Sequence, residues 1–237
     1  MIISFIGFMG CGKSSVGRKL SELLCCPFMD LDEVIEERAG RTIPEIFSQD
    51  GEPAFRQIEL DALKHVVSEG WSKTKSIPLV GSLQQSTGLI ANRSRLPFTM
   101  LRAAMDFDSP ITDQQHPLQL VLALGGGAVM TPECAEIVRS ESKCIYLRGS
   151  IDTLMEHLEG QTENRPLLQD KTVPIDCHSD RAKRVEESAL RGRITELMAK
   201  RSATYEKTAH IIIDIDGKSI ETLASEITSI LFSADIR

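Results

Sequence analysis

The chain has 237 residues, of which 41% are apolar and 26% are charged, and its formal net charge is -7 at pH 7. This profile is typical of a soluble globular domain of ample size, and it lacks the basic character expected of a protein that binds nucleic acid or anionic membranes. The six cysteines form neither C-x-x-C pairs nor zinc spacings, which favours a reducing cytosol over a disulfide framework. No run of residues is long and apolar enough to span a bilayer. We therefore expect a cytoplasmic protein.

Short apolar runs alternate along the chain with amphipathic helical patterns. Strands that alternate with helices predict a parallel sheet with helices on both faces, here a three-layer α/β sandwich with five strands. The first run resembles a signal peptide, but no basic region precedes it and it leads directly into the best motif of the chain. The predicted strands are Ile2–Ile6, Pro27–Met29, Leu120–Leu124, Cys144–Leu147 and His210–Ile215.

The first predicted helix directly follows the first strand. Its apolar residues recur at i, i+4, i+7 and i+8, which is the spacing of one helix face. This face is expected to pack on the sheet, and its members are Val16, Leu20, Leu23 and Leu24.

Two stretches interrupt the α/β pattern. Residues 72–117 are rich in Ser, Thr, Gln and Pro, with a short helix predicted around Phe98–Met105, and residues 169–184 form a smaller polar excursion. A structureless loop as long as the first stretch would be unusual in a compact domain. We therefore interpret residues 1–237 as a single domain that carries an insertion at about 72–117.

The strongest motif is Gly7-Phe8-Met9-Gly10-Cys11-Gly12-Lys13-Ser14, a complete phosphate-binding loop between a predicted strand and a predicted helix. The backbone N–H groups of such a loop bind phosphates at a helix N-terminus, where the dipole favours anions. Lys13 would reach the β- and γ-phosphates, and the Ser14 hydroxyl would be a ligand of Mg²⁺. The motif therefore predicts a P-loop nucleoside triphosphatase fold and a protein that uses ATP.

Two carboxylates, Asp30 and Asp32, follow the second predicted strand. Ligands gather beyond the carboxyl ends of parallel strands, so this pair is expected to face the nucleotide. One carboxylate could belong to the Mg²⁺ shell while the other accepts a proton from a substrate hydroxyl. The alternative is that one of them only caps a helix that begins near Glu33.

Phe55-Arg56 and Gly125-Gly126-Gly127 are the next candidates. Arg56 could bind a substrate carboxylate through two parallel hydrogen bonds, because the planar guanidinium matches that group; the alternative is an ordinary surface arginine. The glycine triplet directly follows the third predicted strand. It would let a ligand approach the backbone closely and would offer N–H donors, although a flexible turn is the simpler interpretation.

Two further arginines lie in the last third of the chain. Arg165, in Arg165-Pro166-Leu167-Leu168, follows a polar stretch that could form a lid. A cationic lid closed over ATP would stabilise charge on the transferred phosphoryl group. Arg201 lies on a predicted helix that continues through Tyr205. Taken singly, each arginine could also be a solvated surface residue.

Taken in order, the motifs G-x-x-G-x-G-K-S, D-x-D, F-R, G-G-G, R-P-L and R-x-x-x-Y resemble those of the shikimate kinases, over most of the chain outside its two interruptions. This combination is far more specific than the phosphate-binding loop alone. The resemblance implies a nucleoside-monophosphate-kinase-like fold and the phosphorylation of the shikimate 3-hydroxyl by ATP with Mg²⁺, in the route to chorismate and the aromatic amino acids. Small-molecule partners alone are implied, without nucleic acid or membrane, and we expect a monomer.

The resemblance also implies a role for each matching residue. Asp32 would bind the shikimate hydroxyls and act as the base, while Lys13 and Arg165 would stabilise the γ-phosphoryl group. Ser14 would bind Mg²⁺, with Asp30 in its outer shell. The other implied contacts are to ATP through Gly10, Cys11, Gly12, Lys13, Ser14, Ser15 and Arg165, to shikimate through Arg56, Gly125, Gly126, Gly127 and Arg201, and to the adenine through the loop Asp216–Ser219.

The chain departs from the family pattern at Leu158. Family members commonly carry a basic residue near the adenine, seven positions before the lid arginine, whereas this chain has Leu158 between His157 and Glu159. Adenine stacking is therefore expected to be weaker or to depend on another residue.

Two other functions stay open on the sequence. Another small-molecule P-loop kinase, such as a gluconate kinase, would share the phosphate-binding loop, although the combination of D-x-D, F-R and G-G-G is not expected of it. A non-catalytic relative could bind the ligands without turnover. The presence of Lys13, Asp32 and Arg165 argues against that second alternative.

Overall fold

A five-stranded, wholly parallel sheet forms the centre of the computed structural model, which describes residues 1–69, 120–158 and 180–233. The strand order is β2-β3-β1-β4-β5, so the strand that leads into the phosphate-binding loop is central. The predicted fold class is confirmed, and each predicted apolar run overlaps one strand. The strands are β1 Ile2–Ile6, β2 Phe28–Asp30, β3 Leu120–Ala123, β4 Ser142–Arg148 and β5 Ile211–Asp214.

Helices connect these strands in the described part of the chain. The first begins directly after the phosphate-binding loop, and a 3-10 turn over Ala128–Met130 follows the glycine triplet. The α-helices are α1 Lys13–Leu24, α2 Leu31–Ala39, α3 Ile43–Gln49, α4 Gly51–Glu69, α5 Pro132–Glu141, α6 Ile151–Leu158, α7 Asp180–Thr208 and α8 Ile220–Ser233.

Apolar side chains project from both faces of the sheet, because successive residues of a strand point to opposite sides. On one face Ile2 shares a buried cluster with Leu63 of α4. On the other face Ile3 shares a second cluster with Leu20 of α1. Every residue of β1 is buried, as a parallel sheet covered on both sides requires.

The predicted buried face of α1 is wrong at one position. Leu23 is 48% exposed, whereas Gly17 and Ser21 are buried. A Cβ added to Gly17 would lie 2.6 Å from the ring of Phe28, so the helix approaches its neighbours through small residues. The buried face is therefore turned away from Leu23. A pattern of apolar residues alone does not reveal a contact surface made by glycine and serine.

Two predicted boundaries also change. The helix after β2 begins at Leu31 rather than near Glu33, because Asp30 already acts as its cap. The polar excursion expected over 169–184 ends earlier in the structure, since α7 begins at Asp180.

Several predictions fall outside the described residues. They are the insertion at 72–117 with its short helix around Phe98–Met105, the first part of the excursion, and Arg165. Among the residues that are described, no helix is long and apolar enough to cross a membrane.

Candidate active site

The phosphate-binding loop connects β1 to α1 and bends at its glycines. Gly12 is the N-cap of α1 with a φ of 81°, a left-handed conformation that suits glycine because it has no Cβ. A Cβ at Gly7 would lie 2.6 Å from the carbonyl oxygen of Leu147, so β1 and β4 approach closely where the loop begins. The loop therefore reaches the N-terminus of α1, where anions are favoured. Its cavity-lining residues include Gly10, Cys11, Gly12, Lys13, Ser14 and Ser15.

The ammonium group of Lys13 lies against this loop. Its Nζ donates hydrogen bonds to the carbonyl oxygens of Gly7 at 3.0 Å and Phe8 at 2.9 Å. Burial raises the pKa of the Asp32 carboxyl group, and the positive charge of Lys13 opposes this rise. Lys13 thus contacts the phosphate-binding loop and also interacts electrostatically with Asp32.

Each carboxylate oxygen of Asp30 has its own partner. Oδ2 accepts a hydrogen bond from Ser14 Oγ at 2.5 Å, and Oδ1 accepts one from the backbone N–H of Asp32 at 3.1 Å. The second bond makes Asp30 the N-cap of α2. Asp30 therefore caps a helix, as the alternative predicted, but this is not its only contact, because the same side chain also bonds to the phosphate-binding loop.

The Ser14 and Asp30 pair fits a magnesium ion. Both supply hard oxygen donors, and Mg²⁺ usually combines one or two such protein ligands with water and substrate phosphates. Among the described residues, no group of three or more His, Cys, Asp or Glu is placed to hold a metal ion.

Asp32 lies in the first turn of α2 and lines the same cavity. Burial is the main cause that raises its carboxyl pKa from 3.8 to about 6; the neighbouring Asp30 carboxylate raises it further, and Lys13 opposes the shift. A carboxylate with a pKa closer to neutrality is a stronger proton acceptor than an exposed aspartate.

Arg56 is paired with carboxylates from its own helix, α4. Nη1 donates to Glu59 Oε2 at 2.8 Å and Nη2 donates to Glu52 Oε1 at 2.9 Å. The Arg56 side chain is only 17% exposed, so it is not the ordinary surface arginine of the alternative interpretation. The two ion pairs fix the plane of the guanidinium group.

Sequence reasoning assigned no role to Glu59. The residue is 1% exposed, and its Oε1 is buried without a hydrogen-bond partner among the described residues. Burial raises the pKa of its carboxyl group, while Arg56 opposes the rise. An unpaired buried oxygen is unfavourable, so a ligand hydroxyl would find an acceptor here. The only sequence signal was its position three residues after Arg56, which many surface ion pairs share.

The glycine triplet after β3 brings these groups together. A Cβ added to Gly125 would lie 2.8 Å from Asp32 Oδ1 and 3.0 Å from Glu59 Oε1. A Cβ at Gly127 would lie 2.5 Å from the Arg56 guanidinium. Asp32, Glu59 and Arg56 therefore lie so close to the turn that the Cβ of any other residue would displace them.

The middle residue, Gly126, joins this turn to two other elements. A Cβ added to it would lie 3.1 Å from the backbone nitrogen of Met9 in the phosphate-binding loop. Its carbonyl oxygen accepts a hydrogen bond from Arg201 Nη1 at 3.3 Å and another from the Tyr205 hydroxyl. Arg201 is 7% exposed and Tyr205 is fully buried, so Arg201 is not a solvated surface arginine.

At the other end of the cavity α6 contributes His157 and not Leu158. Leu158 is fully buried, and its Cγ would lie 2.8 Å from a Cβ added to Gly10. His157 lines the cavity, and its Nδ1 is 2.8 Å from the Gly10 carbonyl oxygen. Lys218 and Ser219, from the loop predicted beside the adenine, line the same cavity.

The sequence is similar to those of known proteins over nearly its whole length. A sequence profile of the family described as shikimate kinase matches residues 9–74 and 111–232. The shikimate kinase of Dictyoglomus turgidum is 31% identical over 227 residues, which cover 95% of this chain and 94% of that protein. The shikimate kinase of Thermus thermophilus is 29% identical over 230 residues, which cover 97% of this chain and 89% of that protein.

A solved structure gives the same result in three dimensions. The shikimate kinase of Acinetobacter baumannii in complex with shikimate matches with a TM-score of 0.67 at 26% sequence identity, over 100% of this chain and 95% of that chain. Sequence and fold similarity thus extend over nearly the whole length of both proteins. The chain therefore belongs to the shikimate kinase family.

Proposed function

We propose that the protein transfers the γ-phosphoryl group of ATP to the 3-hydroxyl of shikimate, which gives shikimate 3-phosphate and ADP on the route to chorismate and the aromatic amino acids. Membership of the family supports this activity. The observation that carries the acceptor assignment is the convergence of the Asp32 carboxylate and the Arg56 guanidinium on one glycine turn. An acceptor with both hydroxyl and carboxylate groups can bind both side chains.

In this proposal the shikimate carboxylate binds Arg56 and Arg201. Both arginines are withdrawn from solvent, where charge-assisted hydrogen bonds are stronger than in water. Glu59 holds one edge of Arg56, so the guanidinium is already oriented before the acceptor binds. The backbone N–H groups of Gly125–Gly127 complete the pocket.

The ATP phosphates bind the loop from Gly10 to Ser15, with Lys13 beside the transferred group. Ser14 and Asp30 would hold Mg²⁺, which neutralises phosphate charge when it is bound. Arg165 is assigned to the γ-phosphoryl group on its sequence motif alone. His157 and the loop that contains Lys218 are assigned to the adenine end.

Asp32 is the proposed base. Its carboxylate accepts the proton of the 3-hydroxyl as that oxygen forms a bond to the γ-phosphorus. The bond between this phosphorus and the bridging oxygen breaks, and ADP leaves with the electron pair. Lys13 contributes fixed positive charge next to the transferred group.

A coupled ADP-release assay with shikimate and gluconate side by side tests the proposal. We expect turnover with shikimate, ATP and Mg²⁺ above the rate without an acceptor, and ³¹P NMR of the product should show a 3-phosphate. Turnover with gluconate alone would favour a different small-molecule kinase. Binding of ATP and shikimate without turnover would favour a non-catalytic relative.

We further propose that the chain is a single domain and that its insertion at about 72–117 is not required for turnover. The insertion precedes β3 in the sequence, and the first residue of β3, Leu120, is at the end of that strand opposite Gly125–Gly127. Deletion of Lys73–Pro117 should therefore leave kcat unchanged, and a collapse of kcat in a folded protein would contradict the proposal. We also propose that the protein is cytoplasmic and monomeric. Light scattering on the purified protein would test whether it is a monomer.

A further inference from the structure

Tyr205 reaches the glycine turn from α7 and has no role in the function proposed above. Its hydroxyl donates a hydrogen bond to the carbonyl oxygen of Gly126. The side chain is fully buried, and burial raises the pKa of its phenol group, so the hydroxyl keeps its proton and remains a donor. The ring packs against Tyr146 of β4, with ring centroids 5.1 Å apart.

This hydrogen bond fixes the orientation of one peptide group. The described chain contains no cis peptide bond, and in a trans peptide the carbonyl of one residue and the N–H of the next point in opposite directions. The Gly126 carbonyl points to α7, so the Gly127 N–H points away from α7. Neither glycine has a Cβ that would restrict rotation of the peptide between them, and an external restraint is therefore needed.

Arg201 also donates to the Gly126 carbonyl oxygen, at 3.3 Å. In the proposed function the same guanidinium binds the acceptor carboxylate, which leaves fewer of its N–H groups for the backbone. The single donor of Tyr205 has no such competing partner. It can hold the carbonyl while Arg201 turns to the acceptor.

We propose that Tyr205 is a positioning residue for acceptor binding, which acts by holding the peptide between Gly126 and Gly127 in one orientation beside Arg56 and Arg201. The inference rests on the proposed function, because it takes shikimate as the acceptor. Without the hydroxyl the peptide can rotate and present a carbonyl oxygen, whose partial negative charge repels the acceptor carboxylate. Lys13, Ser14 and Asp30 keep their own hydrogen bonds, so ATP binding is maintained.

The test compares Tyr205→Phe with Tyr146→Phe in the full chain. Loss of one hydrogen bond should raise KM for shikimate about 3- to 10-fold, with KM for ATP unchanged within about twofold. Tyr146→Phe is the matched control, because it removes a hydroxyl from the adjacent ring and that hydroxyl makes no hydrogen bond to the turn in the described structure. It should leave both KM values unchanged.

Replacement of Tyr205 by 4-aminophenylalanine keeps a donor at the same position and should restore KM for shikimate. This variant also tests the inference if Tyr205→Phe fails to fold. A folded 4-aminophenylalanine protein with a normal KM for shikimate supports the role of the donor, and a raised KM for shikimate overturns the inference. An unchanged shikimate KM in folded Tyr205→Phe, or equal rises for both substrates, overturns it as well. A wild-type protein that does not use shikimate would overturn the proposed function and this inference together.

Discussion

The carboxylates of Asp32 and Glu59 approach Gly125 from different helices: a Cβ at this glycine would lie 2.8 Å from Asp32 Oδ1 and 3.0 Å from Glu59 Oε1. Asp32 is the proposed base, and Glu59 pairs with Arg56, the arginine proposed to bind the acceptor carboxylate. The base and the partner of Arg56 therefore approach the same backbone position of the turn.

Gly125→Ala should abolish most of the turnover. The added methyl group would lie within the van der Waals distance of both carboxylates, so at least one must move away from the acceptor. We expect kcat/KM for shikimate to fall by roughly 100-fold or more, since small displacements of reacting groups have effects of this size. Gly192→Ala, in a helix and with no neighbour within 4 Å, is the control and should retain full activity. Normal turnover in Gly125→Ala would show that the pocket tolerates the methyl group.

The Asp32 carboxyl group should titrate near pH 6 in the protein without nucleotide. Its pKa is raised from 3.8 to about 6, mainly by burial, with contributions from Asp30 and, to a lesser degree, Glu59, while Lys13 opposes the rise. A ¹³C NMR titration of the carboxyl carbon, assigned by its loss in Asp32→Asn, measures the midpoint. Glu59→Gln removes a like charge and should move the midpoint to lower pH. A midpoint close to 4 in the wild type would mean that the carboxyl group is well solvated.

Asp32→Asn should separate activity from stability. Loss of the proton acceptor should reduce kcat by about 100-fold or more while ATP binding is kept. The folded-state pKa is raised above the value of 3.8, so ionisation of Asp32 disfavours the folded state above about pH 6 and has no effect below about pH 4. At pH 7 the free energy of unfolding of Asp32→Asn should therefore exceed that of the wild type by about 1–3 kcal/mol. This difference should disappear towards pH 4.

Chemical denaturation at several pH values measures this difference. Asp61→Asn, on an exposed part of α4, is the control. It should change neither the turnover rate nor the pH dependence of the free energy of unfolding. Near-normal turnover in Asp32→Asn would remove Asp32 from the role of base.

Arg56→Lys should mainly weaken acceptor binding. Lysine keeps the charge but loses the planar group that pairs with Glu59 and a carboxylate at the same time. We expect KM for shikimate to rise roughly 10-fold or more, with a smaller effect on KM for ATP. Arg18→Lys, at an arginine that is 54% exposed, provides the comparison. An unchanged KM for shikimate in Arg56→Lys would mean that Arg56 does not touch the acceptor.

His157→Ala should weaken ATP binding without affecting shikimate. His157 lines the cavity and contacts the Gly10 carbonyl oxygen, whereas Leu158 is part of the core. We expect KM for ATP to rise about 2- to 10-fold on loss of this one hydrogen bond, and His157→Gln should recover part of the effect. Isothermal titration with ADP is an independent measurement. Identical ADP affinity in His157→Ala and wild type would exclude this histidine from the nucleotide site.

The parts of the site that lie within one short segment could be predicted. The phosphate-binding loop, the two aspartates at the end of β2 and the glycine triplet beyond β3 each lie at a strand end, and parallel strands place all such ends on one edge of the sheet. The apolar runs that define the strands carry this information, because a strand buried on both faces needs apolar residues at nearly every position.

Other features depend on contacts between distant segments. Glu59 looked ordinary in the sequence, and Tyr205 was noted only as the last residue of the R-x-x-x-Y motif, without a role of its own. Neither a helical ion pair nor a buried tyrosine indicates function until the turn is seen beside it. Leu23 gave the opposite error, because it was predicted to be buried and is exposed. Leu158 was recognised from the sequence as a departure from the family pattern, and the structure buries it in the core.

The fold class and the phosphate-binding half of the site follow from the order of the residues alone, since both depend on local spacing and on the burial of β1. Which charged and polar groups meet at Gly125, Gly126 and Gly127 depends on the folded chain. Those contacts join α2, α4 and α7 across the turn, and their geometry depends on how these helices pack on the sheet.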